Sequence, residues 1–322
     1  MLGNAAGEKL VPGMNISIVI VNWNVRDYLR RCLTSVYKFT QDLEFEVFVV
    51  DNNSSDGSQA MVREDFPRAR LIASPVNLGF ARGNNLALGR CRGRYIIILN
   101  PDTELVDNGF KEMALFMEAN PFVSVLAPRL IYPDGSLQRS CRNFPTVLMD
   151  FWESLYLNEA FPESNVFNRY LMGMWEHNEP RDVDQPYGAC LMIRDEVLKK
   201  IGFFDGRFFM YYDEVDLCYR IKKAGGRIYY LPSVKVIHHS NKSSNQVSLK
   251  CECYKAKSRL MFFKKHYGIL AVAALFFNLS LRAGLVWLGF SLSHILCGRP
   301  RDVEYFKGPV RVLWRQYIDF LL

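Results

Sequence analysis

This chain lacks the signatures that most quickly sort a sequence of its size. No G-x-G-x-x-G follows its first apolar run, which disfavours a dinucleotide oxidoreductase, and no G-x-x-x-x-G-K-[ST] occurs, which disfavours a P-loop NTPase. Its eight cysteines have no zinc spacing; Cys251 and Cys253 stand one residue apart without a second pair nearby. Thiols in a reducing cytoplasm are the plain reading. The opening MLGNAAGEKLVPGMN has neither a basic n-region nor an apolar h-region, so no secretory signal is expected. Charge of one sign is also scarce over most of the length. Residues 250–322 hold 12 Lys/Arg against 4 Asp/Glu, a local +8, while the rest of the chain carries −1. That balance argues against a nucleic-acid-binding main domain and puts the basic character in the tail, where it suits an anionic membrane surface.

What is present is ample core: 49% apolar and 14% aromatic residues in 322, enough for one large or two modest domains. Ile16–Trp23, Phe45–Asn52, Arg70–Ser74 and Tyr95–Asp102 read as strands. Helical patterns alternate with them over Tyr28–Lys38, from a cap at Asp56 to about Asp65, and after Asn77. The strands are continuously apolar, which predicts an α/β fold with a mostly parallel sheet covered by helices on both faces. Ligands of such sheets bind beyond the carboxyl ends of the strands. Each end here is polar: Asn22 and Asn24, Asp51 and Asn52, Asn77, then Asn100 with Asp102. From Tyr132 to Pro186 the pattern turns irregular and reads as loops and short helices over the ligand edge. The expected segments are a flexible 1–14, a main domain 15–249 with halves 15–130 and 131–249, and a basic, apolar helical region 250–322.

The stretch FFMYYDEVDLCYRIKKAGG (Phe208–Gly226) concentrates the most chemistry. Asp213, Glu214 and Asp216 stand behind the aromatic run Phe208–Tyr212 and ahead of a helix with the stripe Leu217, Ile221 and Ala224. Helix capping accounts for Asp213 and Asp216. It does not require Glu214 or the aromatic wall, which would exclude water, raise a carboxylate's pKa toward general-base range and stack on a sugar ring. In NPDT a simple turn explains the residues, yet Asp102 at the end of a buried strand can also reach Mg2+ or Mn2+, with Asn100 adding a carbonyl oxygen. His238 and His239 follow an apolar segment and offer a neutral imidazole to the same cation. Ser240–Ser244 reads as a polar loop able to close over a ligand. Asp51 can accept from the imide of a pyrimidine, with Asn77, Arg82 and Asn84 at the same nucleotide and Gly79 permitting close backbone approach; turn geometry is the competing account. Arg139 and Arg142 can hold phosphates or simply face solvent.

The segments IVIVNWN, VVDNNSSDGS, NLGFARGNN, LNPDT, PDGSLQRSCRNFPT, GACLMIR, GFFDGRFFMYYDEVDLCYR and VIHHSNKSS occur in this order between about Ile16 and Ser244. As a set they closely resemble family-two inverting glycosyltransferases of the GT-A fold, nearest to bacterial rhamnosyltransferase-type enzymes of cell-surface polysaccharide synthesis. The resemblance implies a dTDP- or UDP-type sugar donor, a lipid-linked or polysaccharide acceptor and a divalent cation. It further implies a cytoplasmic enzyme, peripheral on the inner face of the cell membrane. Asp51 would meet the base, and Val21, Asn22, Asn24, Asn77, Gly79, Arg82 and Asn84 would lie along the donor with Asn100, Pro101 and Asp102. Asn100 and Asp102 fill the first and last positions of the family's D-x-D metal motif, and His238 aligns better than His239 with its metal-associated histidine. Gly188, Ala189, Tyr212 and Asp216 fall on the acceptor side. The family's Glu-Asp pair is reversed here, so Glu214 takes the base position and Asp213 is the fallback. A catalytically silent saccharide-binding or scaffold module, and a nucleotidyltransferase, are the competing functions.

The tail is basic first, with Lys255, Lys257, Lys264 and Lys265, and apolar after. Gly268–Leu281 and Ala283–Leu296 are two runs of 14 residues separated by Arg282. Each is too short to span a bilayer alone. An interfacial or re-entrant helical pair is the favoured expectation, beside a buried core hairpin and a full span.

Overall fold

The computed structural model describes residues 15–172, 175–240 and 248–297. The expected flexible terminus 1–14, the loop residues 241–244 and positions 298–322 lie outside the described residues. The chain divides into two compact units, and the division is not the expected break after residue 249. One unit holds the residues up to Cys141 with His177–Phe209 and the segment from Asp213; the other holds Arg142–Glu176, Met210–Tyr212 and the C-terminal helices.

The first unit opens with β1 (Asn15–Asn22), α1 (Arg26–Phe39), β2 (Glu44–Asn52), α2 (Ser58–Asp65), β3 (Arg70–Ser74), α3 (Gly79–Leu88) and β4 (Tyr95–Leu99). β5 (Thr103–Leu105), α4 (Gly109–Ala119) and β6 (Val123–Ile131) follow. Three two-residue strands come next in number, β7 (Cys141–Arg142), β8 (Arg181–Asp182) and β9 (Gln185–Pro186), then β10 (Cys190–Arg194), α7 (Asp195–Ile201), α8 (Asp213–Lys223) and β11 (Arg227–His238). The sheet order is β3-β2-β1-β4-β10-β6-β11-β5, with β8 pairing onto β11 off this path. The first four strands are parallel, as their continuous apolar runs predict. β10 then runs antiparallel between β4 and β6, and β5 and β8 run antiparallel to β11. The apolar content of Cys190–Arg194 marks it as a buried strand but carries no direction. One helix start also differs from expectation. α2 begins at Ser58 after Gly57 at φ 83°, while Asp56 accepts from the Ser58 amide at 3.1 Å and the Arg26 amide at 2.7 Å, tying the turn to the start of α1.

Register carries the polar strand ends together. Asn22 pairs with Asp51 across β1 and β2, Cys190 with Leu99 across β10 and β4, and His238 with Thr103 across β11 and β5. These pairings bring positions 22, 51, 100, 102, 189 and 238 to one edge of the sheet.

The second unit is helical: α5 (Val147–Ser154), α6 (Leu157–Ala160), α9 (Ser248–Tyr267) and α10 (Ile269–Cys297). So part of the irregular region 132–186 forms helices that pack with the tail. Buried Asp150 accepts from Asn278 Nδ2 at 2.8 Å and is ion-paired with Arg259, while Tyr267 donates to the Pro145 carbonyl at 3.1 Å. Arg282 does not divide the apolar tail. α10 runs through it, and its guanidinium lies 4.8 Å from the Tyr156 ring centroid. The break falls at Gly268, whose φ of 85° a glycine adopts without strain. Among the described residues no helix is long and apolar enough to cross a membrane.

Candidate active site

At the ends of β1 and β2 the polar side chains close into a knot. Asp51, buried, accepts from Asn22 Nδ2 at 3.0 Å, the Ser54 amide at 3.0 Å and Gln59 Nε2 at 2.8 Å. Asn24 sits at φ 52° and accepts the Ser55 amide at 2.8 Å. Asn22 Oδ1 and Asn52 Oδ1 are buried without a protein partner, so the knot still has acceptors to offer a ligand edge. Val21 lies buried beneath it.

The segment Asn77–Asn85 is built differently from its expected role along a nucleotide. Asn77 Oδ1 accepts the Gly79 amide at 2.9 Å, and Asn84 is buried with its Nδ2 donating to the Phe80 carbonyl at 3.0 Å. The close approach that Gly79 permits is to protein: a Cβ there would lie 2.1 Å from the Phe209 carbonyl oxygen, at φ +77°. Arg82 Nε donates to the Gly206 carbonyl at 2.7 Å. Asn85, not singled out from sequence, exchanges two hydrogen bonds with the Phe204 backbone, donating at 2.8 Å and accepting at 3.1 Å. The Phe80 amide donates to the Phe209 carbonyl at 2.8 Å. α3 therefore clasps the loop 204–209.

At the end of β4, the Asn100 amide donates to the Ala189 carbonyl at 2.9 Å, and the Asn100 carbonyl accepts Thr103 Oγ1 at 2.8 Å. Pro101 and Asp102 are buried behind this turn, Asp102 at 6% exposure. His238 Nε2 lies 3.4 Å from Asp102 Oδ1 and 3.5 Å from Asn100 Nδ2. His239 faces Glu104 Oε1 instead, at 2.6 Å, with its ring centroid 4.9 Å from that of Tyr28 and tilted to it by 59°. The geometry thus separates the adjacent histidines. Gln138 Oε1 lies 2.7 Å from His238 Nδ1; nothing local in SLQRSCR marks this buried glutamine, because its partner stands 100 residues away. Arg139 is exposed in the first unit and Arg142 half-buried in the second.

The acidic cluster splits three ways. Asp216, expected on the acceptor side, is instead 0% exposed and pairs with Arg220 Nε at 2.8 Å, and Arg220 holds the carbonyls of Ile201 and Phe203. Phe208 is likewise fully buried rather than part of a shelf, and Tyr212 packs within the second unit, 5.6 Å from the Phe262 ring. Asp213 is buried, and burial pushes its carboxyl well above the usual range, with the charge of Glu214 adding to the shift. Glu214 remains half-exposed. A Cβ on Gly188 would sit 3.3 Å from Glu214 Cβ and 3.7 Å from Phe80 Cζ, so the missing side chain makes room for Glu214. Gly188 thus leaves room for Glu214, while the carbonyl of the next residue, Ala189, holds the Asn100 amide.

A divalent cation fits this edge. Asp102 and His238 supply a carboxylate oxygen and an imidazole nitrogen at facing distance, a small protein donor set of the kind that leaves positions for phosphate and water. Among the described residues no group of three or more His, Cys, Asp or Glu gathers to form an all-protein cage.

A mostly parallel sheet whose carboxyl edge gathers acids, amides and one imidazole matches the GT-A class of fold. The family model of glycosyl transferase family 2 matches residues 17–202, and the chain belongs to that family; it is a hexosyltransferase. It is 28% identical to N-acetylglucosaminyl-diphospho-decaprenol L-rhamnosyltransferase of Mycobacterium tuberculosis, over 72% of this chain and 78% of that one. It is 27% identical to the low-salt glycan biosynthesis hexosyltransferase Agl10 of Haloferax volcanii, over 70% and 67%. Rhamnosyltransferase WbbL of Escherichia coli is 23% identical over 78% and 93%. Among solved structures, a mannosyltransferase of Pyrobaculum calidifontis in complex with GDP-Man and Mn2+ superposes with a TM-score of 0.54 at 17% identity, covering 95% of this chain and 86% of that one. This last likeness shows the shared fold.

Proposed function

We propose that this chain moves rhamnose or another hexose from a nucleoside diphosphate donor to a lipid-linked or polysaccharide acceptor, in one displacement that inverts the anomeric carbon. The observation that carries the reading is the segment Gly188–Ala189: Gly188 leaves room for Glu214, and the Ala189 carbonyl accepts the Asn100 amide at the turn of Asp102. Glu214 is the general base. It takes the proton of the acceptor hydroxyl as that oxygen attacks the anomeric carbon, and the donor's C–O bond to diphosphate breaks on the opposite face. Asp213 is too buried to receive that proton and serves as a neutral neighbour. The knot around Asp51 would receive the base of a dTDP or UDP donor, and exposed Arg139 would serve its phosphates. Asp102 and His238 would hold a divalent cation, Mg2+ or Mn2+, which when bound offsets charge on the diphosphate. The acceptor's lipid would be met at a membrane surface, with the protein peripheral on the cytoplasmic face.

A panel of nucleotide sugars, screened for thermal stabilisation with and without Mn2+ and then for transfer to a polyprenyl-diphosphate acceptor, tests this. Cation-dependent stabilisation by one donor and turnover of it are expected. Binding without transfer or hydrolysis of any donor, across acceptors, would leave a silent saccharide-binding module.

A further inference from the structure

Gln138 sits 100 residues from His238 in sequence, yet its side-chain oxygen lies 2.7 Å from His238 Nδ1 with both residues buried. An amide oxygen only accepts, so Nδ1 carries the proton. In a neutral ring the lone pair then falls on Nε2. That nitrogen faces Asp102 Oδ1 at 3.4 Å, another acceptor, and the Asn100 Nδ2 donor at 3.5 Å. Two converging lone pairs repel each other unless a cation lies between them. Gln138 is held in place by its own backbone, whose amide donates to the Leu130 carbonyl at 3.0 Å. A glutamine has a second property that a carboxylate in this place would lack. Turned over about its terminal bond, the same amide donates to Nδ1, and Nε2–H is then free to donate to Asp102.

We propose that Gln138 is a positioning residue that lets His238 exchange tautomers: Nδ1–H with a bare Nε2 when a divalent cation is held with Asp102, and Nε2–H bonded to Asp102 when it is not. The inference rests on the cation reading of Asp102 and His238. Either amide orientation satisfies the buried ring, so loading and release of the ion leave no orphaned polar atom. Partners of this kind behind a metal-bound histidine typically change affinity by about 10–100-fold when removed.

The test measures Mn2+ binding in the presence of UDP, dTDP or GDP by electron paramagnetic resonance, with 15N spectra of the His238 ring recorded with and without Mg2+. Gln138→Met should weaken Mn2+ binding about 10–100-fold. Gln138→Glu, which can only accept, should bind at least as tightly as the wild type and hold the Nδ1–H tautomer without the ion. The wild-type ring should change tautomer on Mg2+ addition. Mn2+ affinity of Gln138→Met equal to wild type, or a wild-type ring whose tautomer ignores Mg2+, would overturn the proposal; if Gln138→Met does not fold, the spectra of the wild type and Gln138→Glu decide. A wild-type protein that binds Mn2+ with none of the nucleotides fails earlier, removing the cation reading itself and this inference with it.

Discussion

Two neighbouring carboxyls differ in this site in how far they are buried, and that difference divides their roles. Asp213 is 2% exposed and shifted upward; Glu214 is half-exposed beside a glycine. Glu214→Gln should leave donor-induced thermal stabilisation intact and lower turnover by roughly 10²-fold or more, the loss expected for a general base. Near-normal turnover in that variant would transfer the role to Asp213. Asp213→Asn makes the opposite prediction. Burial holds the pKa of Asp213 above the ordinary aspartate value of 3.8, so the folded state binds the extra proton and wild-type stability falls as pH rises from about that value toward the folded pKa. Asparagine cannot ionise. The variant should therefore gain thermal stability relative to wild type as pH rises through the window above 3.8, and the two should converge below it. Melting curves at stepped pH check this, and a difference that shrinks with rising pH sinks it. The sequence showed the three acids and the reversal of the pair but not which one was buried, because the neighbours of the helix start come from far along the chain, as Gly188 beside Glu214 does.

At the scale of elements, strand ends were readable and cross-connections were not. Continuous apolar runs located β1 to β4 to within three residues, and the polar residues at their carboxyl ends gather at one edge of the sheet. NLGFARGNN looked like ligand-binding material because Gly, Arg and Asn suit that use equally well. In the structure the same residues hold the loop 204–209, through backbone groups whose position no local pattern reveals. Gly79→Ala should lower the unfolding free energy by about 1–3 kcal/mol or more, since the left-handed φ alone costs that much and the added carbon would meet a carbonyl rather than a movable side chain. Asn85→Ala strips both partners from the Phe204 peptide and should cost about 1–3 kcal/mol. Neither change should raise the donor concentration needed for half-saturation. If Gly79→Ala weakens donor binding while the unfolding free energy stays put, the segment serves the nucleotide rather than the loop.

At the scale of the whole molecule, the charge asymmetry of the tail was legible from composition, whereas its architecture was not. A run of 14 apolar residues on either side of Arg282 reads as two pieces, but Tyr156 gives the guanidinium a partner and α10 continues past it. The helix buries Ala271, Val272 and Leu275 and leaves Leu270 82%, Phe277 62% and Leu288 49% exposed. Spacings of 7 and 18 residues put those three on one stripe of a helix. Lys255, Lys257, Lys264 and Lys265 are exposed on α9 of the same unit. An apolar stripe in company with lysines is the composition of an interfacial helix, in which burial of the stripe and attraction to acidic headgroups add. Each lysine near such a surface contributes about 1 kcal/mol. Reversing Lys264 and Lys265 to Glu should thus weaken association with phosphatidylglycerol-rich vesicles by at least about tenfold, and salt should weaken it for the wild type as well, because exposed charges are screened. Flotation with those vesicles, run at low and high salt beside neutral phosphatidylcholine vesicles, measures both effects. Wild-type protein that stays at the bottom of the gradient at low salt would leave the stripe without a lipid role, and the acceptor would then have to reach the enzyme from solution.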